Sequence, residues 1–259
     1  MGKIISLVNQ KGGVGKTTTA VNLSQYLAKK GRLVLLVDLD PQANATSGVG
    51  ISKDQIKFGI YDVIIRNLLP EKAIITTNSV NYDVIPSSVD LSGALIELAN
   101  IPNREYRLYD ALKSIRNNYD YIIIDSPPSL DLLTINGLVA SDKIIIPVQC
   151  EYYSLEGLSR LLETISLIKK GLRSNLEVMG AVLTMYDKRN KLARQVVKEV
   201  KNNFPGKVFN SVVPRNVRLS EAPSFGKTIL NFARLSKGAK AYNNLAKEVI
   251  DMEENNFTI

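Results

Sequence analysis

Residues 9–18, Asn9-Gln10-Lys11-Gly12-Gly13-Val14-Gly15-Lys16-Thr17-Thr18, limit what this chain can fold into more than any other stretch. An apolar run, 4–8, leads in, and a helical pattern, 20–30, leads out. Strand, glycine-rich turn and helix in that order gather backbone N–H groups around an anion at a helix N-terminus. Glycine lacks Cβ, so those groups can converge. Lys16 is then placed to reach β and γ phosphates, and the Thr17 hydroxyl to ligate Mg²⁺. One position departs from the general G-x-x-x-x-G-K-[ST] pattern. Gln10 stands where the first glycine belongs, and a second lysine, Lys11, lies inside the loop.

Composition removes several competing chemistries. The 259 residues contain no histidine and one cysteine, Cys150. Histidine acid–base work, Ser/Cys triads with His, His-ligated zinc and intramolecular disulfides are therefore excluded. What remains suits reactions that depend on positioning and charge, such as phosphoryl transfer. The N-terminus enters a strand directly and no apolar stretch approaches the roughly 18 residues of a membrane span, which reads as cytoplasmic.

The apolar periodicity predicts strands at 4–8, 33–37, 82–86, 121–124, 143–148, 178–185 and 208–213. It predicts helices at 17–30, 61–68, 91–100, 107–117, 130–140, 155–170, 191–204 and 237–252, with 43–59 as loop. This alternation predicts an α/β fold: a mostly parallel twisted sheet with helices on both faces, built on the phosphate loop. No repeat or linker divides the chain, so one domain, 1–259, is expected, with 251–259 a flexible acidic tail.

Acidic residues close two of these strands. Asp125 follows 121–124 and fits the role of organising Mg²⁺. Asp38 and Asp40 end the strand at 33–37; Asp40 is a candidate to position the attacking water, and Asp38 either orders the loop or bonds within the site. An Asn-Lys-x-Asp guanine motif is absent, which favours adenine.

Charge is uneven along the chain. Residues 160–250 hold 18 Lys+Arg against 6 Asp+Glu, while the remainder holds 15 against 19. On the helical pattern at 191–204, Leu192, Val196, Val197, Val200 and Phe204 share one side; Lys191, Arg194, Lys198 and Lys201 share the other. Such a stripe is either a solvated face or a surface for phosphate contact without base readout. Lys188, Arg189, Arg215, Arg218, Lys227, Arg234, Lys237 and Lys240 add to the same part of the sequence.

Four segments together resemble the ParA/Soj chromosome-partitioning ATPases of the ParA/MinD superfamily. They are the deviant loop from Lys11 to Thr18, Asp38-Leu39-Asp40-Pro41-Gln42, Asp125-Ser126-Pro127-Pro128-Ser129, and the segment from Val213 to Ser224. The resemblance runs from residue 3 to about 250. It implies an ATP/ADP- and Mg²⁺-binding ATPase in which Gly12, Gly13, Val14, Gly15, Lys16, Thr17 and Thr18 hold the phosphates. Lys11 reaches a partner subunit's nucleotide, Asp40 serves hydrolysis, and Asp125 organises Mg²⁺ through water. Pro214 and Asn216 line the adenine. Arg189 and Arg218 match DNA-binding arginines. It further implies an ATP-dependent homodimer, non-specific binding to double-stranded DNA on the nucleoid, and a ParB/Spo0J-like partner. The early phosphate loop argues against the extra N-terminal DNA-binding domain of plasmid members. The acidic C-terminus argues against the membrane helix of MinD-like relatives. A MinD-like positioning ATPase acting on a membrane or another assembly is the alternative.

Overall fold

The computed structural model describes residues 1–151 and 154–255. Seven strands form one sheet: β1 Lys3–Leu7, β2 Val34–Asp38, β3 Ile75–Thr76, β4 Tyr82–Ile85, β5 Tyr121–Asp125, β6 Lys143–Gln149 and β7 Glu177–Thr184. Their spatial order is β3-β4-β2-β5-β1-β6-β7. All pair in parallel except β3, which runs antiparallel to β4.

Helices cover both faces, as near-continuous apolar strands require. Alternate residues of each strand face opposite ways. In β2, Val34 and Leu36 enter one core, and Leu35 and Val37 enter the other. The first face carries α1 Lys16–Lys29, and, in the chain's last third, α9 Val217–Glu221, α10 Ile229–Ala233 and α11 Lys237–Asn255. The short α2 Asn44–Gly48 also joins this core through Ala45. The opposite face carries α3 Ile60–Ile64, α4 Ala94–Leu98, α5 Arg107–Ile115 and α6 Leu132–Ala140. It continues with α7 Ser154–Gly171 and α8 Lys191–Asn203 over β6 and β7.

This winding locates the site. From β1 the chain passes beyond β5 to reach β2, whereas from β5 it crosses β1 to reach β6. Ligands of open α/β sheets bind at the carboxyl ends of strands where the winding direction changes. Register brings Leu7 of β1, Asp125 of β5 and Asp38 of β2 level at that edge.

Four expectations need correction. The expected loop 43–59 contains α2 and a 3₁₀ turn at Lys53–Gln55. There the Thr46 N–H and hydroxyl bind the buried Asp38 carboxylate at 2.8 and 2.7 Å, which outweighs a loop-like composition. Residues 208–213 are not a strand; they touch the β7 edge through an isolated bridge at Val208 and the N–H groups of Phe209 and Val213. The carboxylate of Glu248 in α11 takes the N–H groups of Asn210 and Ser211 instead. On α8, Ala193 rather than Leu192 completes the buried side, and Leu192 is 42% exposed.

The acidic terminus is not a free tail as far as it is described. The last helix runs on to Asn255. Glu253 is buried, with its carboxylate 2.5 Å from Lys143 Nζ and 3.5 Å from Lys3 Nζ, and Glu254 pairs with Arg32. Residues 256–259 lie outside the described residues.

Candidate active site

The loop between β1 and α1 is built as the sequence demands. Gly13 and Gly15 have φ of 74° and 89°, a left-handed conformation that side chains rarely adopt. Two buried contacts pin the loop from neighbouring strands. Asn9 Nδ2 donates to the Pro147 carbonyl of β6 at 2.7 Å, and its Oδ1 accepts from Lys11 N–H at 3.0 Å. The Thr184 hydroxyl at the end of β7 donates to the Val14 carbonyl at 2.8 Å.

The two loop lysines point to different places. Lys16 is 6% exposed, and its amine donates to the Lys11 carbonyl at 3.3 Å, within the loop. Burial lowers its pKa, an effect partly offset by the charges of Asp125 and Asp40. Lys11 instead turns outward, its amine 3.1 Å from Glu151 after β6. Nothing in the sequence pattern marks Glu151 as a partner.

Three carboxylates face the loop. Asp125 is fully buried, and neither carboxylate oxygen has a hydrogen-bond partner. Burial, reinforced by the Asp38 charge, holds its pKa well above the usual carboxylate range. Thr17 and Lys16 pull it back toward the charged form. A fully buried, unsatisfied carboxylate beside a threonine hydroxyl and a second carboxylate is an arrangement that a hard divalent cation relieves. Thr17 and Asp125 are therefore the residues that would hold Mg²⁺.

Asp38 has a different surrounding. It accepts from Thr46 N–H, the Thr46 hydroxyl and Asp40 N–H, and burial still raises its pKa to about 6. The Thr46 hydroxyl in turn accepts from Ser87 N–H at 2.9 Å. Asp38 thus orders the segment that carries Asp40. Asp40 is nearly buried and accepts only from Gln42 N–H, at 2.9 Å. Its other oxygen accepts no hydrogen bond among the described residues.

A cavity of about 390 Å³ joins the loop to the far C-terminal segment. Gly15 and Thr18 form one side, Pro214 and Asn216 another, with Met185 and Tyr242 between them. Asn216 also caps α9 by accepting from Arg218 N–H at 2.9 Å. Residues almost 200 positions apart meet here because 213–215 follows the β7 edge.

These features agree with comparisons to known proteins. A family model described as an AAA domain matches residues 2–178. The sporulation initiation inhibitor protein Soj of Bacillus subtilis is 56% identical over 249 residues, 96% of this chain and 98% of that protein. The chromosome partitioning protein ParA of Myxococcus xanthus is 52% identical over 96% of this chain and 88% of its own length. The chain belongs to the ParA/Soj family of chromosome-partitioning ATPases. A solved structure described as cobyrinic acid a,c-diamide synthase from Mycobacterium smegmatis, with bound ADP and magnesium, aligns with a TM-score of 0.86. It is 34% identical and covers 98% of this chain and 96% of that one.

The cations expected to bind DNA do not all fall together. Arg189 and Arg215 lie beside Asp187, just past β7, with Arg189 clasping that carboxylate through two bonds at 2.8 and 3.1 Å. Arg218 pairs with Glu221 at 2.9 Å. Lys191, Arg194, Lys198 and Lys201 are exposed along α8. Lys227 sits apart, against residues 77–79 of the β3–β4 turn and Gln25 of α1, on the α1 side of the sheet. Spacing in the sequence carried no signal of that separation.

Proposed function

We propose that this chain is an Mg²⁺-dependent ATPase that dimerises on ATP, binds DNA without sequence preference and serves chromosome or plasmid partition with a ParB/Spo0J-like partner. Lys16 and the loop N–H groups hold the phosphates; Thr17 and Asp125 hold Mg²⁺, which when bound neutralises phosphate charge. Asp40 positions the water that attacks the γ-phosphorus, releasing phosphate and leaving ADP. Pro214 and Asn216 border the base.

The observation that carries this reading is the outward turn of Lys11 while Lys16 turns in. A half-exposed cation at the rim of its own loop, held at rest by Glu151, would meet phosphates held by a second copy. Two facing basic loops repel each other, and a γ-phosphate offsets that repulsion, so ATP favours the dimer and ADP does not. Dimerisation would double the phosphate contacts from α8, Arg189 and Arg218 and place the protein on the nucleoid. The high identity to partitioning proteins supports this over a MinD-like membrane role.

The test is a gel shift on random duplex DNA with Mg-ATP or Mg-ADP at two salt concentrations, with anionic vesicles as the comparison surface. ATP-dependent, salt-sensitive DNA binding is expected. Lys16→Ala abolishes it. Nucleotide-independent binding, or binding to vesicles in place of DNA, sinks the proposal.

A further inference from the structure

A second cavity, of about 660 Å³, lies beyond Asp40 and shares no residue with the base pocket. Its volume is in the range of small-molecule sites, about 300–1,000 Å³. The floor is apolar, from Ile51, Ile56 and Phe58. Lys53 and Lys57 stand exposed on its wall, and neither has a carboxylate within ion-pair distance among the described residues. Asp62, also on the wall, is already committed to Arg66 at 2.9 Å and to Gly59 N–H at 3.0 Å. Asp90 is the other carboxylate among the described lining residues, and it accepts from the Ser88 hydroxyl.

Ser87 adds a second observation. It is fully buried in the cavity wall, and its hydroxyl has no hydrogen-bond partner among the described residues. A buried polar group left unpaired in a native fold calls for an explanation. Its backbone N–H is meanwhile tied to Thr46, the residue whose hydroxyl and N–H hold Asp38. Pro41 and Gln42, directly after Asp40, complete the wall.

We propose that this cavity binds a small organic anion, a carboxylate or a phosphate monoester on an apolar body, and that its occupation raises the rate of ATP hydrolysis. The lysines supply charge, the floor takes the apolar body, and the ordered wall fixes the Asp40 segment. The effect on turnover rests on the ATPase reading above; binding does not.

Binding is read by saturation-transfer NMR on protein saturated with Mg-ADP, so the nucleotide pocket is filled. Phenyl phosphate and 3-phenylpropionate are titrated separately, and the arm that binds more tightly names the anion. A Lys53→Gln/Lys57→Gln variant, altered only at exposed positions, is expected to bind roughly tenfold more weakly, the loss of about 1.4 kcal/mol of charge-assisted contact. Equal affinity in variant and wild type, or no binding of either probe, overturns the site. In steady-state assays the better probe raises ATP turnover in wild type and not in the variant; unchanged or lower turnover in wild type overturns the regulatory half. A chain that hydrolyses no ATP removes the function proposed above while leaving the binding result to stand.

Discussion

At the scale of single residues, three aspartates at one sheet edge have three different surroundings. Asp38 is saturated by donors, Asp125 is buried without any, and Asp40 keeps one oxygen unengaged. Of the three, Asp40 combines an unengaged oxygen with some exposure, which leaves an acceptor that water can reach. Asp40→Ala is expected to bind Mg-ATP normally and to lose about 10²-fold or more in turnover, the usual worth of a positioned acid–base group. Phosphate-release kinetics check it, and wild-type turnover would reassign the role to Asp38. The positions of Asp40 and Asp125 at the ends of strands were legible from the sequence alone. The role of Asp38 was not, since it depends on Thr46, eight residues away with no spacing rule to mark it. Cys150 gives a second prediction. Burial pushes its thiol up to about 12, so at pH 8 almost none is thiolate. A disulfide reagent should modify it slowly in the native protein, faster as pH climbs toward 12, and at once in denaturant. Rapid native labelling at pH 8 contradicts that burial.

Among elements, legibility followed local periodicity and failed where distant groups intervene. The helices 17–30, 155–170 and 191–204 each carry their own apolar stripe, and each lies within two residues of its expected bounds. The segment 208–213 has the composition of a strand, yet between the Phe209 and Val213 bonds to β7, Glu248 takes the N–H groups of Asn210 and Ser211 and interrupts the ladder. The end of α11 shows the same effect for charge. Acidic residues at a chain end read as solvated, whereas Glu253 meets Lys143 and Lys3 at the amino ends of β6 and β1. The Lys143 side chain is 12% exposed and that of Glu253 5%, so removing one partner strands the other. Glu253→Ala is expected to cost about 3–5 kcal/mol. Urea unfolding followed by circular dichroism measures it directly, and a loss under 1 kcal/mol would mean that the end of α11 contributes little to the fold.

For the whole molecule, the sheet decides which cations can act on one ligand. Packing places α8 over β7 on one face, while Lys227 follows α9 on the other and lies against the β3–β4 turn. On the proposed DNA-binding reading, a single duplex spanning the C-terminal end of β7 would meet Arg189 and the α8 stripe together, and Lys227, on the other face, would lie away from that path. Contact count sets salt dependence, with a log–log slope of about −0.9 for each phosphate neutralised. Lys198→Gln/Lys201→Gln removes four contacts per dimer and should flatten the slope of ATP-dependent DNA binding by about 3.6. Neither lysine has an ion-pair partner among the described residues, so their loss leaves no carboxylate stranded in the fold. Lys227→Gln should leave the slope unchanged, although in the sequence it belongs to the same basic third. Fluorescence anisotropy across a salt series separates the two variants. If Lys227→Gln flattened the slope as much as the α8 pair, DNA would have to wrap around to the α1 face, and the proposed duplex path would fail.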